Sequence, residues 1–197
     1  MNFIACGLFI SAIAFAGNPT AKNEMILFAF DGATLPENMK LNNSEATPVK
    51  HERRQAMQVD FRQVDWPNVT FTAKDVPWNW KDYSGISVDI FNPENEPVDV
   101  SLRVDDDPAA DGMVHCNTGN ASIPPHQNGV LQVRFNTGIN ERFWGMRGTP
   151  LRGATGQGPV IDPSHVVAFQ VFLSRPVKPN TLFIREIRLF GKGASQE

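Results

Sequence analysis

Along the stretch PVDVSLRVDDDP, Asp99, Ser101, Arg103 and Asp105 fall on one side of an extended chain, and Val98, Val100, Leu102 and Val104 fall on the other. A hydroxyl, a guanidinium and two carboxylates on a rigid strand are donors and acceptors in fixed positions. That chemistry hydrogen-bonds a polyhydroxylated ligand such as a sugar. The same alternation also describes the wet face of any antiparallel strand, so its meaning depends on the elements around it.

Several of those elements share the alternation. Gln55–Phe61 turns Gln58 and Asp60 away from Met57, Val59 and Phe61, and Ile86–Phe91 turns Ser87 and Asp89 away from its apolar side. Val130–Phe135 does the same with Gln132 and Arg134, and Val166–Leu173 with Gln170. If these strands neighbour one another, Asp89 and Arg134 lie beside Arg103 and Asp105 on one polar face. Two aromatic groups add to the set. Trp78 and Trp80 share a face of an extended segment, where they either stack on a pyranose ring or plug the base of the sheet. The aperiodic stretch Thr137–Pro163 holds six glycines and carries Trp144 and Arg147, and a connection that long in a small domain is usually functional. The candidate carbohydrate-binding residues are therefore Arg103, Asp105, Arg134, Asp89, Trp78, Trp80, Trp144 and Arg147.

Catalytic signatures do not accompany them. The chain has no Gly-x-Ser-x-Gly elbow, no His-Glu-x-x-His and no Gly-x-x-x-x-Gly-Lys, and Tyr83 is its sole tyrosine. Asp105, Asp106 and Asp107 suggest a structural calcium, although Ala109 and Ala110 break the EF-hand pattern. His115, Cys116 and His126 have no closed zinc spacing.

The 197 residues, 41% of them hydrophobic, suffice for one domain with a full core. A net charge of −3 offers no basic footprint for nucleic acid. Fifteen glycines, fifteen prolines and no helical periodicity give an all-β reading: a jelly-roll β-sandwich of about eight or more antiparallel strands. Residues 1–16, apolar and ending Ala14-Phe15-Ala16, read as a secretory signal peptide, which makes the protein secreted or periplasmic with no membrane span after signal removal. Residues 17–24 follow as a leader, 25–191 form the sandwich and 192–197 a tail. Met25–Phe30 reads as a strand buried on both faces or near the domain edge. Gly32–Glu52 reads as loop with one weak strand, and the stretch after Asp107 through Asn117 as loop. A phase change between Ile184 and Ile187 predicts a bulge at Arg185-Glu186.

Taken in order, Asp82-Tyr83-Ser84-Gly85, Asn92-Pro93, the strand Val100–Asp106, Gly145-Met146-Arg147-Gly148 and Ile161-Asp162-Pro163 through Pro176 carry a resemblance. The chain resembles the N-terminal carbohydrate-binding-module-like β-sandwich that precedes the catalytic barrel in glycoside hydrolase family 50 β-agarases. It departs from related modules at Arg185-Glu186, where they tend to carry Asp followed by Asn or Asp. The sequence given ends at Glu197, about where a linker to the barrel would begin, so agarase activity is not carried over. The resemblance implies a secreted, non-catalytic module for an agarose-like or other marine galactan. Its alternative is a docking module that completes the cleft of a glycoside hydrolase barrel, and a free-standing polysaccharide-degrading enzyme comes third.

Overall fold

The computed structural model describes residues 24–30, 34–138 and 159–192. Among them are eleven strands: β1 (Met25–Ala29), β2 (Met39–Asn42), β3 (Ser44–His51), β4 (Arg54–Phe61), β5 (Asn68–Thr72), β6 (Tyr83–Phe91), β7 (Val98–Asp105), β8 (Cys116–Ile123), β9 (Asn128–Arg134), β10 (Ala168–Phe172) and β11 (Asn180–Lys192). They form two antiparallel sheets. One runs β3-β4-β11-β6-β9 with β1 also on β11, and the other runs β2-β5-β10-β7-β8.

The inward halves of the alternating strands meet between the layers, as the period-two pattern requires. Met57, Val59, Ile86, Val88, Leu102, Val104, Phe169 and Val171 are all fully buried there. Phe71 stacks on Phe169 at 4.8 Å between centroids. β11 is the spine of its sheet: β6 borders one side, while the other is shared by β4, up to Ile184, and β1, from Glu186. The register shifts between Ile184 and Glu186, the bulge that the phase change predicts.

Three expectations change. The stretch read as loop with one weak strand holds both β2 and β3, joined through Asn43 at φ 51°, and β8 begins within the stretch read as loop after Asp107. β1 takes the second of the two placements its sequence allowed, an edge strand with three of its five residues exposed. The largest change concerns β6 and β7. Their connection does not make a hairpin within one sheet but carries the chain from one layer to the other. Buried Asn92 fixes that corner, its Nδ2 donating to the carbonyls of Glu96 and Ile123 at 2.8 Å each. The strands with Asp89 and Arg134 therefore belong to the β11 sheet, and the strand with Arg103 and Asp105 to the β7 sheet.

Candidate functional site

The outward face of the β7 sheet is built in rows by its register. Lys40, Thr70, Gln170, Arg103 and Thr118 lie side by side across all five strands. One pleat away in one direction are Thr72, Ala168, Asp105 and Cys116, and in the other Asn68, Phe172, Ser101 and Asn120. β7 is an interior strand, and toward its C-terminal end its outward side chains are covered rather than wet: Asp105 is 6% exposed and Ser101 9%, whereas Asp99 is exposed.

Arg103 and Asp105 form a fork. Arg103 Nη2 donates to Asp105 Oδ2 at 2.9 Å, and Nε lies 2.8 Å from Oδ1. The second contact is short but badly aligned. The Gln170 amide is assigned with its oxygen toward Arg103, the orientation that satisfies both groups, and it accepts from Nε and Nη2 at 2.9 Å each. Asp105 Oδ1 is thereby left buried with no hydrogen-bond donor of its own. Burial pushes the Asp105 carboxyl above its usual range, an effect that Arg103 partly opposes.

Arg103 and Asp105 floor a cleft of about 470 Å³ between the β5–β6 and β7–β8 connections. Lys74–Pro77 and Asp107–Pro108 wall it, Ala168 leaves room beside Asp105, and Lys40 stands on its rim. A guanidinium fixed by a carboxylate and an amide keeps N–H groups to offer to the oxygens of a hydroxyl-bearing ligand.

The other sequence candidates lie elsewhere. Asp89 is on the outward face of the β11 sheet, where Oδ2 accepts from Arg188 Nη1 at 2.8 Å. Arg134 is also there, exposed, with its guanidinium 5.4 Å above the Phe190 ring. A Cβ on Gly85, between them in the register, would sit 2.5 Å from that ring, so the packing requires glycine. The expectation that Asp89 and Arg134 flank Arg103 is thus overturned by sheet assignment. Trp80 is 3% exposed, stacked with Trp78 at 5.3 Å and Phe135 at 6.0 Å, so its ring is core and offers no platform. Trp78 is half-buried against Phe169. Trp144 and Arg147 lie outside the described residues.

The acidic run does not fit calcium. Asp105 serves Arg103, Asp106 Oδ2 accepts from the Asp162 N–H at 2.6 Å, and Asp107 Oδ1 from the Ala109 N–H at 2.7 Å. Among the described residues, no three His, Cys, Asp or Glu side chains converge as a metal site. His115 and His126 flank opposite ends of β8, which also separates the residues considered for zinc.

A family model described as "Agarase CBM like domain" matches residues 29–141, more than half of the chain. The chain belongs to the agarase CBM-like domain family. Beta-agarase B of Vibrio sp. (strain JT0107) is 26% identical to this CBM-like domain over 140 residues, which are 63% of the chain and 15% of that enzyme. The chain thus spans a small part of its curated relative. Among solved structures, an exo-beta-agarase superposes with a TM-score of 0.66 at 16% identity, over 85% of this chain and 25% of the other. A family 11 carbohydrate-binding module from Clostridium thermocellum, solved with a beta-1,3-1,4-mixed-linked tetrasaccharide, superposes with a TM-score of 0.58 at 14% identity, over 87% and 98%. These likenesses confirm the sandwich fold. Among the described residues, no helix is long and apolar enough to cross a membrane.

Proposed function

We propose that this domain is a non-catalytic module that binds a polysaccharide on the outward face of the β7 sheet, with an agarose-like galactan as ligand. The observation that carries the reading is the Arg103–Asp105 fork, braced by Gln170 and lying on the floor of the cleft. Sugar oxygens accept from the N–H groups of Arg103 that neither Asp105 nor Gln170 uses. Membership in an agarase CBM-like family supports a galactan, and the tetrasaccharide complex of a module with the same fold supports sugar binding. The catalytic step belongs, in this reading, to a glycoside hydrolase domain attached to or working beside the module. Secretion through residues 1–16 would place it where polysaccharides are met.

The test is affinity electrophoresis through gels containing agarose, porphyran, carrageenan or laminarin, with Asp105→Asn run beside the wild type. The amide keeps the shape but loses the charge and half of the acceptor capacity. Agarose should retard the wild type more strongly than the variant. No retardation by any gel, or equal retardation of both proteins by agarose, overturns the proposal.

A further inference from the structure

At the opposite end of the same face stands a residue that chain connectivity alone does not explain. Trp66, in the turn between β4 and β5, adopts φ 61° and is 48% exposed. A positive φ suits glycine or asparagine, and a bulky aromatic there is an outlier that persists only where its surroundings enforce it. They do so here. The Trp66 N–H donates to the Ser174 carbonyl at 3.2 Å, and the Leu173 N–H donates to the Pro67 carbonyl at 3.2 Å. Asn68 Nδ2 donates to the Trp66 carbonyl at 2.9 Å, while Asn68 Oδ1 accepts from Thr70 Oγ1 at 3.0 Å. The turn is therefore braced from β10 and β5, and its indole is held at the surface rather than tucked into the core.

The indole is not isolated. Its ring lies 5.8 Å from that of Phe172, tilted by 47°, and Phe172 is one of the outward residues of β10. Asn68 and Ser101 pair with Phe172 on either side, and Ser101 Oγ donates to Asn120 Oδ1 at 2.6 Å. Aromatic surface is thus edged by hydroxyl and amide groups. Along β10 the outward residues continue from Phe172 to Gln170 to Ala168, steps of roughly 7 Å each. The second is the brace of Arg103 and the third lines the cleft beside Asp105.

We infer that Trp66 with Phe172 is an aromatic stacking subsite for a further pyranose of the same polysaccharide chain, which runs along β10 from the indole to the Arg103–Asp105 cleft. This rests on the sugar-binding reading of that face. A large flat ring with an exposed side takes the C–H face of a neutral sugar, and a fixed ring loses little conformational freedom on binding. The subsite also implies a length preference: a short oligosaccharide fills the cleft alone, and a longer one reaches the indole as well.

Calorimetric titration of the full chain with agarose-derived disaccharide and hexasaccharide tests it, using Trp66→Gly and Trp66→Leu. Glycine relieves the positive φ, so that variant should melt no lower than the wild type. Leucine keeps both the conformational burden and an apolar side chain but removes the flat ring. Both should bind the hexasaccharide about tenfold more weakly, or about 1.4 kcal/mol, with disaccharide affinity unchanged. Trp66→Tyr should recover most of the loss. Wild-type hexasaccharide affinity in Trp66→Leu, or an equal loss for both sugars, overturns the subsite while leaving the cleft intact. Failure of the wild type to bind either sugar overturns the subsite together with the reading beneath it.

Discussion

Replacing Arg103 with alanine probes the fork from its cationic side. The side chain of Arg103 is 20% exposed and that of Asp105 9%, so the pair is close to buried. From sequence alone Arg103 reads as an exposed strand residue whose loss leaves the unfolding midpoint nearly unchanged. The structure reverses this expectation, because Arg103→Ala strands a buried carboxylate and also removes the donors that hold Gln170. Removing one partner of a buried ion pair costs about 3 to 5 kcal/mol, and the residual exposure of Arg103 places this case near 3. For a domain of this size that lowers Tm by about 6 to 12 °C. The penalty depends on pH in a defined direction. Burial already raises the folded-state pKa of Asp105, so its contribution to stability is present below the unfolded value and is lost as pH rises through the folded one. Without Arg103 that pKa climbs further. The deficit of the variant is therefore full at neutral pH and shrinks as acidification protonates Asp105. Arg103→Leu with Asp105→Leu, which removes both charges, should recover much of the stability. Thermal unfolding followed by circular dichroism at neutral and acidic pH reads all three effects. An Arg103→Ala midpoint within about 2 °C of wild type at neutral pH, well short of the expected shift, would refute the coupling.

Two other outcomes follow from packing and sequence. Trp80→Ala removes a ring stacked on Trp78 and Phe135, at a cost of about 3 to 5 kcal/mol, so calorimetry should show Tm lowered by about 6 to 20 °C; a variant that melts like the wild type but no longer binds polysaccharide would move Trp80 back among the ligand contacts. Mass spectrometry of exported protein should find its first residue at Gly17, and material retaining residues 1–16 would remove the signal-peptide reading.

Much of this fold is written in local alternation. β4, β6, β7, β9 and β10 each turn apolar residues to one side, and the bulge in β11 shows as a slip in phase. β2 and β3 escape because LNNSEATPVKH has few apolar residues and a proline, which an edge strand tolerates and a central one does not. β8 escapes because CNTGNASI is small and polar, as fits a strand whose Gly119 has no room for a Cβ, 2.0 Å from the Gln132 carbonyl. The site is harder to read, since the Arg-x-Asp fork is local whereas its neighbours depend on which sheet each strand joins. Nothing in FNPENEPV shows that Asn92 will reach Ile123 and turn the chain into the other layer. Trp66 had a signal: a tryptophan before proline in the polar run RQVDWPN reads as part of a turn rather than of the core.

The pairing of β1 with β11 sets Met25 opposite Leu189, so the described chain enters and leaves the sandwich at neighbouring points of one sheet. The proposed ligand face belongs to the other sheet. A tether on either end would therefore pull on the layer behind the proposed ligand face. For any domain fused there, the spacing to a polymer held on that face is set by the tether. Its effective concentration of substrate, in the millimolar range for a short flexible linker, would then be tuned by linker length without changing one contact in the cleft.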